Sequence, residues 1–180
     1  MGAHPDNTIE VVAYSGAWPR RFDSERAALD RALGPVTVSI EHIGSTAVPG
    51  MSSKPTIDIL VVVADVEAFV EQVGAVEALG YEWRPGNAFV GRPDHLFLRK
   101  VVDGKRTHHL HVLHQDSAEI ADYRLFRDAL RTDPALAARY EEVKLGLAAA
   151  HADDRMRYVT EKERWVGREL AELRASRPAG

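Results

Sequence analysis

The feature that most constrains the fold is the run Thr56–Val63, TIDILVVV, which follows a loop rich in Gly, Pro and Ser. Six of its eight residues are β-branched, and a short apolar run of this kind predicts a strand covered on both faces. Its one acid is Asp58, and buried acids are rare unless they are paired or bind a metal. A role for Asp58 in metal binding and a role in capping the loop or pairing with Lys54 are equally open.

The rest of the chain shows strand and helix patterns around this run and then becomes purely helical. Apolar periodicity and turn residues predict a helix over 18–33, a strand over 36–40, a helix from Asp65 to Gly80, strands over 81–83, 95–102 and 107–113 with a turn at Asp103-Gly104, and helices over 118–131, 134–150 and 156–173. Residues 85–93 have the composition of a loop. This order predicts an α+β fold with a mixed β-sheet, flanking helices and a C-terminal helical cap.

The length of 180 residues predicts a single domain with a sizeable core. We expect a flexible tail over 1–8 and one domain over 9–176, with a sheet core over about 9–115 and a helical part over about 116–176. Neither a signal sequence nor an apolar run of membrane-spanning length is present in the sequence, which predicts a cytoplasmic protein with no membrane partner. The sequence leaves the oligomeric state open.

Composition limits the partners and the metal chemistry. A net charge of −4 argues against broad nucleic-acid binding, which needs many Lys and Arg contacts to phosphates. The chain has no cysteine, so a metal ion would have to bind carboxylates, histidines, carbonyls or water.

A Gly-Ser turn comes directly before the loop that leads to Asp58. Gly44 allows the backbone to turn sharply and approach a ligand, and Ser45, with Thr46 beside it, can donate to a phosphate oxygen. Taken alone, the turn is equally typical of an ordinary strand end. Leu60 shares a strand face with Asp58 and stands where a two-metal site would need a second acid. The predicted site is therefore half complete.

The strand THHLHVLH supplies a second group of candidates. Because side chains alternate along a strand, His109 and His111 point to one face. Two neighbouring imidazoles can hold a divalent metal, donate to a phosphate or move a proton. A His-rich solvated sheet face is the alternative. Glu41 adds a further acid close to the Gly-Ser turn, on the face opposite to that of His42.

Several cations could neutralise phosphates. Lys54 lies in the loop before Asp58, while Lys144 and Lys162 lie on predicted helices, the latter one turn after Tyr158. A solvated helix face is the usual explanation for such helical charges, including Arg127.

The words HIGSTAVPGM (42–51), KPTIDILV (54–61), RTHHLHV (106–112) and FRDALRTDP (126–134), with Tyr158 and Lys162, resemble the GrpB-like proteins of the nucleotidyltransferase superfamily. The resemblance runs from Val12 to Lys162 and implies a nucleotidyltransferase-like fold. It also implies that Gly44, Ser45 and Asp58 match the superfamily pattern. Leu60 replaces the second acid, and the histidines of 109–113 stand where a third acid is expected.

These observations lead to one functional hypothesis and two alternatives. We expect a metal-dependent nucleotidyltransferase in which Asp58, aided by Glu41 or by His109 and His111, binds Mg²⁺ or Mn²⁺, and in which these residues contribute to catalysis. The nucleoside triphosphate would be held by Gly44, Ser45, Thr46, Lys54, Lys144 and Lys162, and a small molecule would accept the nucleotidyl group. The alternatives are a non-catalytic nucleotide- or phosphate-binding module on the same fold, and a metal-dependent hydrolase that uses the His-rich strand.

Overall fold

The computed structural model describes residues 9–83 and 95–176. In this part of the chain five strands form one sheet: β1 (Thr37–Ile43), β2 (Ile57–Val63), β3 (Tyr81–Trp83), β4 (His95–Val102) and β5 (Lys105–His114). The helices are α1 (Ala17–Leu33), α2 (Val66–Glu71), α3 (Val73–Glu77), α4 (Glu119–Thr132), α5 (Pro134–Ala150) and α6 (Arg155–Ala175). The predicted tail over 1–8 and the predicted loop over 85–93 lie outside the described residues.

The sheet is mixed, with strand order β1-β2-β5-β4-β3. β2 and β5 pair in parallel, whereas the other neighbouring strands are antiparallel. β4 and β5 form the predicted hairpin, with Asp103 and Gly104 at positive φ in its turn. The predicted α+β architecture, including the central position of the strand at 57–63, is confirmed.

Helices cover both faces of the sheet. On one face α1, α2 and α3 pack on inward side chains of the strands, with Leu29, Phe69 and Val76 fully buried. On the other face α4 packs through Ile120, and α5 and α6 complete a helical cap around Tyr140. Burying an aliphatic or aromatic side chain of this size contributes about 1.5–3 kcal/mol. These contacts fix β2 between two layers of helices.

Two predicted elements differ from the structure. The helix expected from Asp65 to Gly80 is two short helices, because the N–H of Gln72 bonds the carbonyl of Phe69 and ends the first helix. The start of the first strand is also different: Val36 lies in a 3-10 turn with Pro35, and Val38 is 55 % exposed. An irregular register between Thr37 and Ser39 disturbs the alternation at that point.

Candidate functional site

Asp58 lies at the second position of β2 and faces the helical cap. Its register partners are Ile43 on β1 and His109 on β5, while Leu60, two residues further, is opposite Glu41 and His111. Residues paired across neighbouring strands point to the same face of a sheet. The fold therefore brings four predicted site residues, Asp58, His109, His111 and Glu41, to one face.

Leu60, at the position of the missing second acid, belongs to the core. Its side chain is fully buried and packs in a cluster with Ile43, Val62, Leu113 and Ile120. An ionised carboxylate at this position would lose its hydration without gaining a partner, which is strongly unfavourable. The apolar packing of this face therefore explains why only one acid stands on β2.

The Gly-Ser turn lies directly against the Asp58 carboxylate. Gly44 has φ +70°, and a Cβ atom at this position would be 2.5 Å from Oδ2 of Asp58. Ser45 follows in a short 3-10 turn, and no described residue hydrogen-bonds its hydroxyl group. Thr46 differs, since its hydroxyl contacts Nε2 of His42 at 2.9 Å and donates to the carbonyl of Thr56 at 3.5 Å. Its contacts hold the loop together, so its predicted phosphate role stays a prediction.

His109 holds the Asp58 carboxylate on its other side. Nδ1 of His109 donates to Oδ1 of Asp58 at 2.9 Å, and Nε2 of His111 lies 3.9 Å from the same oxygen. Burial alone would raise the pKa of Asp58, but the hydrogen bond from His109 and the nearness of His111 hold it well below its usual range. Burial also lowers the pKa of His109 to about 4, against the attraction of Asp58. At neutral pH the pair is a carboxylate and a neutral imidazole.

Two lysines place positive charge near Asp58. Nζ of Lys54 lies 5.2 Å from the ring centre of Tyr158. Burial, followed by repulsion from Lys162 and Arg155, lowers the pKa of Lys54 to about 7. For Lys162 the pKa is raised, mainly by interaction with Tyr140, and also by Tyr158 and Asp58, against the effect of burial. In the described part of the chain neither lysine is within ion-pair distance of a carboxylate.

Glu41 shares the sheet face with Asp58 but has other partners. Its carboxylate accepts hydrogen bonds from Nη2 of Arg124 at 2.5 Å and from Nη1 of Arg127 at 3.1 Å. Burial raises the pKa of Glu41, but these two arginines and Ser39 outweigh it and leave the pKa below the usual value. Arg127 is therefore a partner of β1 rather than a solvated helix charge. These contacts do not favour the predicted metal role of Glu41, which stays a prediction.

Lys144 is also engaged inside the protein. Its side chain is buried, its Nζ donates to the carbonyl of Ser52 at 2.5 Å, and it lies 4.8 Å from the ring centre of Tyr140. The N–H of Ser52 in turn donates to Glu141 on the same helix at 2.8 Å. Lys144 thus fixes the loop before β2 to α5, and these contacts do not favour the predicted contact with phosphate.

Comparison with known proteins places the chain in a family. Residues 8–172 match the family model described as GrpB protein. The chain belongs to the GrpB family. It is 36% identical over 163 residues to the UPF0157 protein YqkA of Bacillus subtilis, and the match covers 91% of this chain but 46% of YqkA. The chain therefore spans less than half the length of that relative.

Solved structures agree with the GrpB assignment. The crystal structure of conserved protein GrpB from Enterococcus faecalis has a TM-score of 0.83 and 36% identity, and the match covers 91% of this chain and 96% of that one. The Cid1 poly(U) polymerase is a distant structural neighbour, with a TM-score of 0.48, 16% identity and coverage of 75% of this chain and 41% of the polymerase. Nothing about activity follows from a similarity of that size.

Sequence reasoning missed two residues of the candidate site, His95 and Glu119, which are linked to His111 by hydrogen bonds. Nε2 of His95 lies 2.9 Å from Nδ1 of His111, and Nδ1 of His95 lies 3.2 Å from Oε2 of Glu119. The hairpin turn at 103–104 gives a signal for His95, because the antiparallel register places it near His111 on the neighbouring strand. For Glu119, on a separate helix, the sequence gives no such signal.

The residues near Asp58 fit a metal ion only with help from a ligand. Over 9–83 and 95–176 no group of three or more His, Asp or Glu side chains could by itself hold a metal ion. Mg²⁺ commonly binds one or two carboxylates and completes its shell with waters and substrate phosphates. The carboxylate of Asp58, about 30 % exposed, fits that pattern.

Over residues 9–83 and 95–176 no helix is long and apolar enough to span a bilayer.

Proposed function

We propose that this GrpB-family chain transfers a nucleotidyl group from a nucleoside triphosphate to a small-molecule acceptor. The observation that carries the proposal is one ionised carboxylate, Asp58, that lies against a Gly-Ser turn and interacts electrostatically with two lysines. Gly44 contacts the carboxylate from one side, and Lys54 and Lys162 act on it electrostatically. An anionic ligand with a bound cation would satisfy both kinds of charge.

The turn and the lysines would bind the triphosphate. Ser45 has a hydroxyl group to offer, and the tight backbone at Gly44 allows phosphate oxygens to approach closely. Lys162 is fully charged at neutral pH, whereas burial leaves Lys54 near its titration midpoint. A phosphate beside Lys54 would favour its charged form, so binding would be accompanied by proton uptake.

Asp58 is the residue that would hold Mg²⁺ or Mn²⁺. When bound, the ion would neutralise charge on the phosphate oxygens. His109 orients the carboxylate through its hydrogen bond at 2.9 Å. Glu41 contributes no ligand in this arrangement, because Arg124 and Arg127 hold it.

The reaction itself would be an in-line displacement. An oxygen or nitrogen of the acceptor forms a bond to the α-phosphorus while the bond from that phosphorus to the bridging oxygen breaks, and pyrophosphate leaves with the electron pair. The acceptor's proton would pass to His111, whose Nε2 lies 3.9 Å from Asp58. Lys54 and Lys162 would stabilise the charge on the departing pyrophosphate.

The test is pyrophosphate release from each of the four nucleoside triphosphates with Mg²⁺ and a panel of hydroxyl, amine and carboxylate acceptors. We expect Asp58→Asn, which keeps the side-chain shape, to lower the rate by at least about 100-fold. Asp116→Asn is the control, because Asp116 is an exposed acid whose side chain is 84 % accessible. Equal rates for the wild type and Asp58→Asn would refute the role of Asp58.

A second candidate function is a nucleotide-binding module without catalysis. It is favoured by the single carboxylate that remains once Leu60 is buried and Glu41 is paired with arginines. Thermal unfolding with each triphosphate, in Mg²⁺ and in EDTA, separates the two. If the chain is a transferase, its stabilisation by the triphosphate should depend on Mg²⁺ and on Asp58. Equal stabilisation in both buffers, with no pyrophosphate released, would favour the binding module.

A further inference from the structure

The loop that leads from the Gly-Ser turn to β2 is bonded at Ser52 by two charged side chains of α5. The N–H of Ser52 donates to Oε1 of Glu141 at 2.8 Å, and its carbonyl accepts from Nζ of Lys144 at 2.5 Å. Residues three positions apart on a helix lie on the same side of it, so both side chains can reach one loop residue. Both backbone groups of Ser52 are therefore bonded to one helix.

The next residue, Ser53, is bonded by the N-terminal segment. Its N–H donates to the carbonyl of Val12 at 2.9 Å, and its carbonyl accepts from the N–H of Val12 at 2.9 Å. Ser53 is buried, and backbone groups that are paired inside a protein are costly to separate. The loop is thus fixed at two successive residues by two distant parts of the chain.

Lys54 follows directly, and its backbone is also restricted from the other side. Pro55 disfavours helical backbone angles at the residue before it, and the N–H of Thr56 donates to the carbonyl of Lys54 at 2.7 Å. From this point the side chain extends to α6, where Nζ lies 5.2 Å from the ring centre of Tyr158. A lysine has a flexible stem, so a defined position of its Nζ requires a fixed backbone.

We propose that Glu141 and Lys144 are positioning residues, which hold the loop against α5 so that Lys54 reaches the site beside Asp58. The inference rests on the proposed function in one respect, since Lys54 is there a residue that binds the phosphates. It assigns to α5 the task of placing a cation that α5 does not itself carry.

The contact of Lys144 with the loop does not depend on its charge. Burial lowers the pKa of Lys144 to about 7, against the attraction of Glu141. Both the ammonium group and the neutral amine carry N–H donors, so the carbonyl of Ser52 has a partner in either state.

The test is the NMR signal of the Lys54 side chain in the protein without ligand, because a nearby aromatic ring shifts such signals. Lys54→Met identifies the signal. In Lys144→Met, which removes the donor, and in Glu141→Leu, which removes the acceptor, we expect the signal to move toward its position in an unstructured peptide. Glu141→Gln keeps an oxygen that can accept from the N–H of Ser52, so it should keep the wild-type signal.

Glu142→Leu is the matched control, because Glu142 is an exposed acid on the same helix and should leave the Lys54 signal unchanged. If Lys144→Met does not fold, Glu141→Leu decides, since Glu141 is only partly buried. An unchanged signal in Glu141→Leu would overturn the proposal. The same shift in Glu142→Leu or in Glu141→Gln would do so as well.

Binding of a nucleoside triphosphate with Mg²⁺ separates this inference from the proposed function. We expect Glu141→Leu to raise the Kd about tenfold, the effect of losing roughly one hydrogen bond to the ligand, and Glu142→Leu to leave it unchanged. A shifted Lys54 signal with an unchanged Kd in Glu141→Leu would overturn the proposal. The expected signals in a wild type that binds no triphosphate would support the placement of Lys54 by α5 and contradict only the proposed function.

Discussion

Both faces of the sheet carry acidic side chains near histidines and lysines, but the charges are paired differently on the two faces. On the α1 face Glu25 accepts two hydrogen bonds from Nζ of Lys100, at 2.9 and 3.1 Å, and His108 lies beside them. On the cap face Asp58 accepts a hydrogen bond from a neutral histidine, His109. Both carboxylates are largely shielded from solvent, but only Glu25 forms an ion pair with a lysine.

The difference shows why residue types alone do not locate a site. Glu25 and Lys100 neutralise each other, so the α1 face needs no ligand to be electrostatically stable. On the cap face Lys54 and Lys162 feel the charge of Asp58 without forming an ion pair with it. That arrangement leaves both signs of charge available, which is expected where a phosphate and a cation bind together.

The largest expected effect comes from breaking the ion pair between Glu25 and Lys100 on the α1 face. Lys100→Met should lower the free energy of unfolding by about 3 kcal/mol, since it leaves Glu25 with only 11 % of its side chain exposed and without its lysine. Urea denaturation at pH 7 measures the change. Asp58→Asn, which removes an acid that has no lysine partner, should change stability by less.

The control for Lys100→Met is the double variant Lys100→Met/Glu25→Gln, in which the unpaired charge is also removed. It should recover most of the lost stability, because the penalty comes from the buried charge rather than from lost packing. If the double variant is as unstable as the single one, the α1 face is not held by charge cancellation and the contrast between the two faces fails.

The contrast also marks what the sequence could predict. The β-branched run at 56–63 predicted the central strand, and alternation along β5 predicted the shared face of His109 and His111, since both patterns depend on neighbouring residues only. Glu25 and Lys100 are 75 residues apart, and Glu41 and Arg124 are 83 apart. No periodicity in the chain specifies which distant charged residues will be in contact. The partners of Glu41 and Lys144 could therefore be identified only from the fold.

A smaller effect tests the contact between the turn and Asp58. Gly44→Ala should cost about 2 kcal/mol of stability, because the backbone at φ +70° and ψ −173° is strained for any other residue. The new Cβ would also lie 2.5 Å from Oδ2 of Asp58 and displace the carboxylate. We therefore expect the pKa of Asp58, measured by carboxyl NMR, to rise toward its usual value as the hydrogen bond from His109 weakens.

Gly50→Ala is the matched control. Gly50 also has positive φ, +81°, but a Cβ there would meet no atom within 4 Å. It should therefore show the backbone cost, about 1 kcal/mol, and leave the pKa of Asp58 unchanged. Equal effects of both variants on Asp58 would mean that the turn does not shape the cap-face site.

The smallest effect concerns Lys54, whose pKa is lowered to about 7, chiefly by burial. Because the unfolded chain holds this proton more tightly, the contribution of Lys54 to stability rises with pH between about 7 and its usual pKa, and its penalty is complete below pH 7. Lys54→Met should remove this rise from the dependence of unfolding free energy on pH.

The same measurement in the presence of a bound triphosphate tests the role of Lys54 more directly. Its negative charge should raise the pKa of Lys54, so the Lys54-dependent rise should move to higher pH when a nucleoside triphosphate and Mg²⁺ are present. Lys100, already paired with Glu25 on the α1 face, gives the comparison, because its side-chain NMR signal at a fixed pH should not change when the triphosphate is added. If the pKa of Lys54 does not change, Lys54 does not bind the phosphate, and the different charge pairing on the two faces has only a structural role.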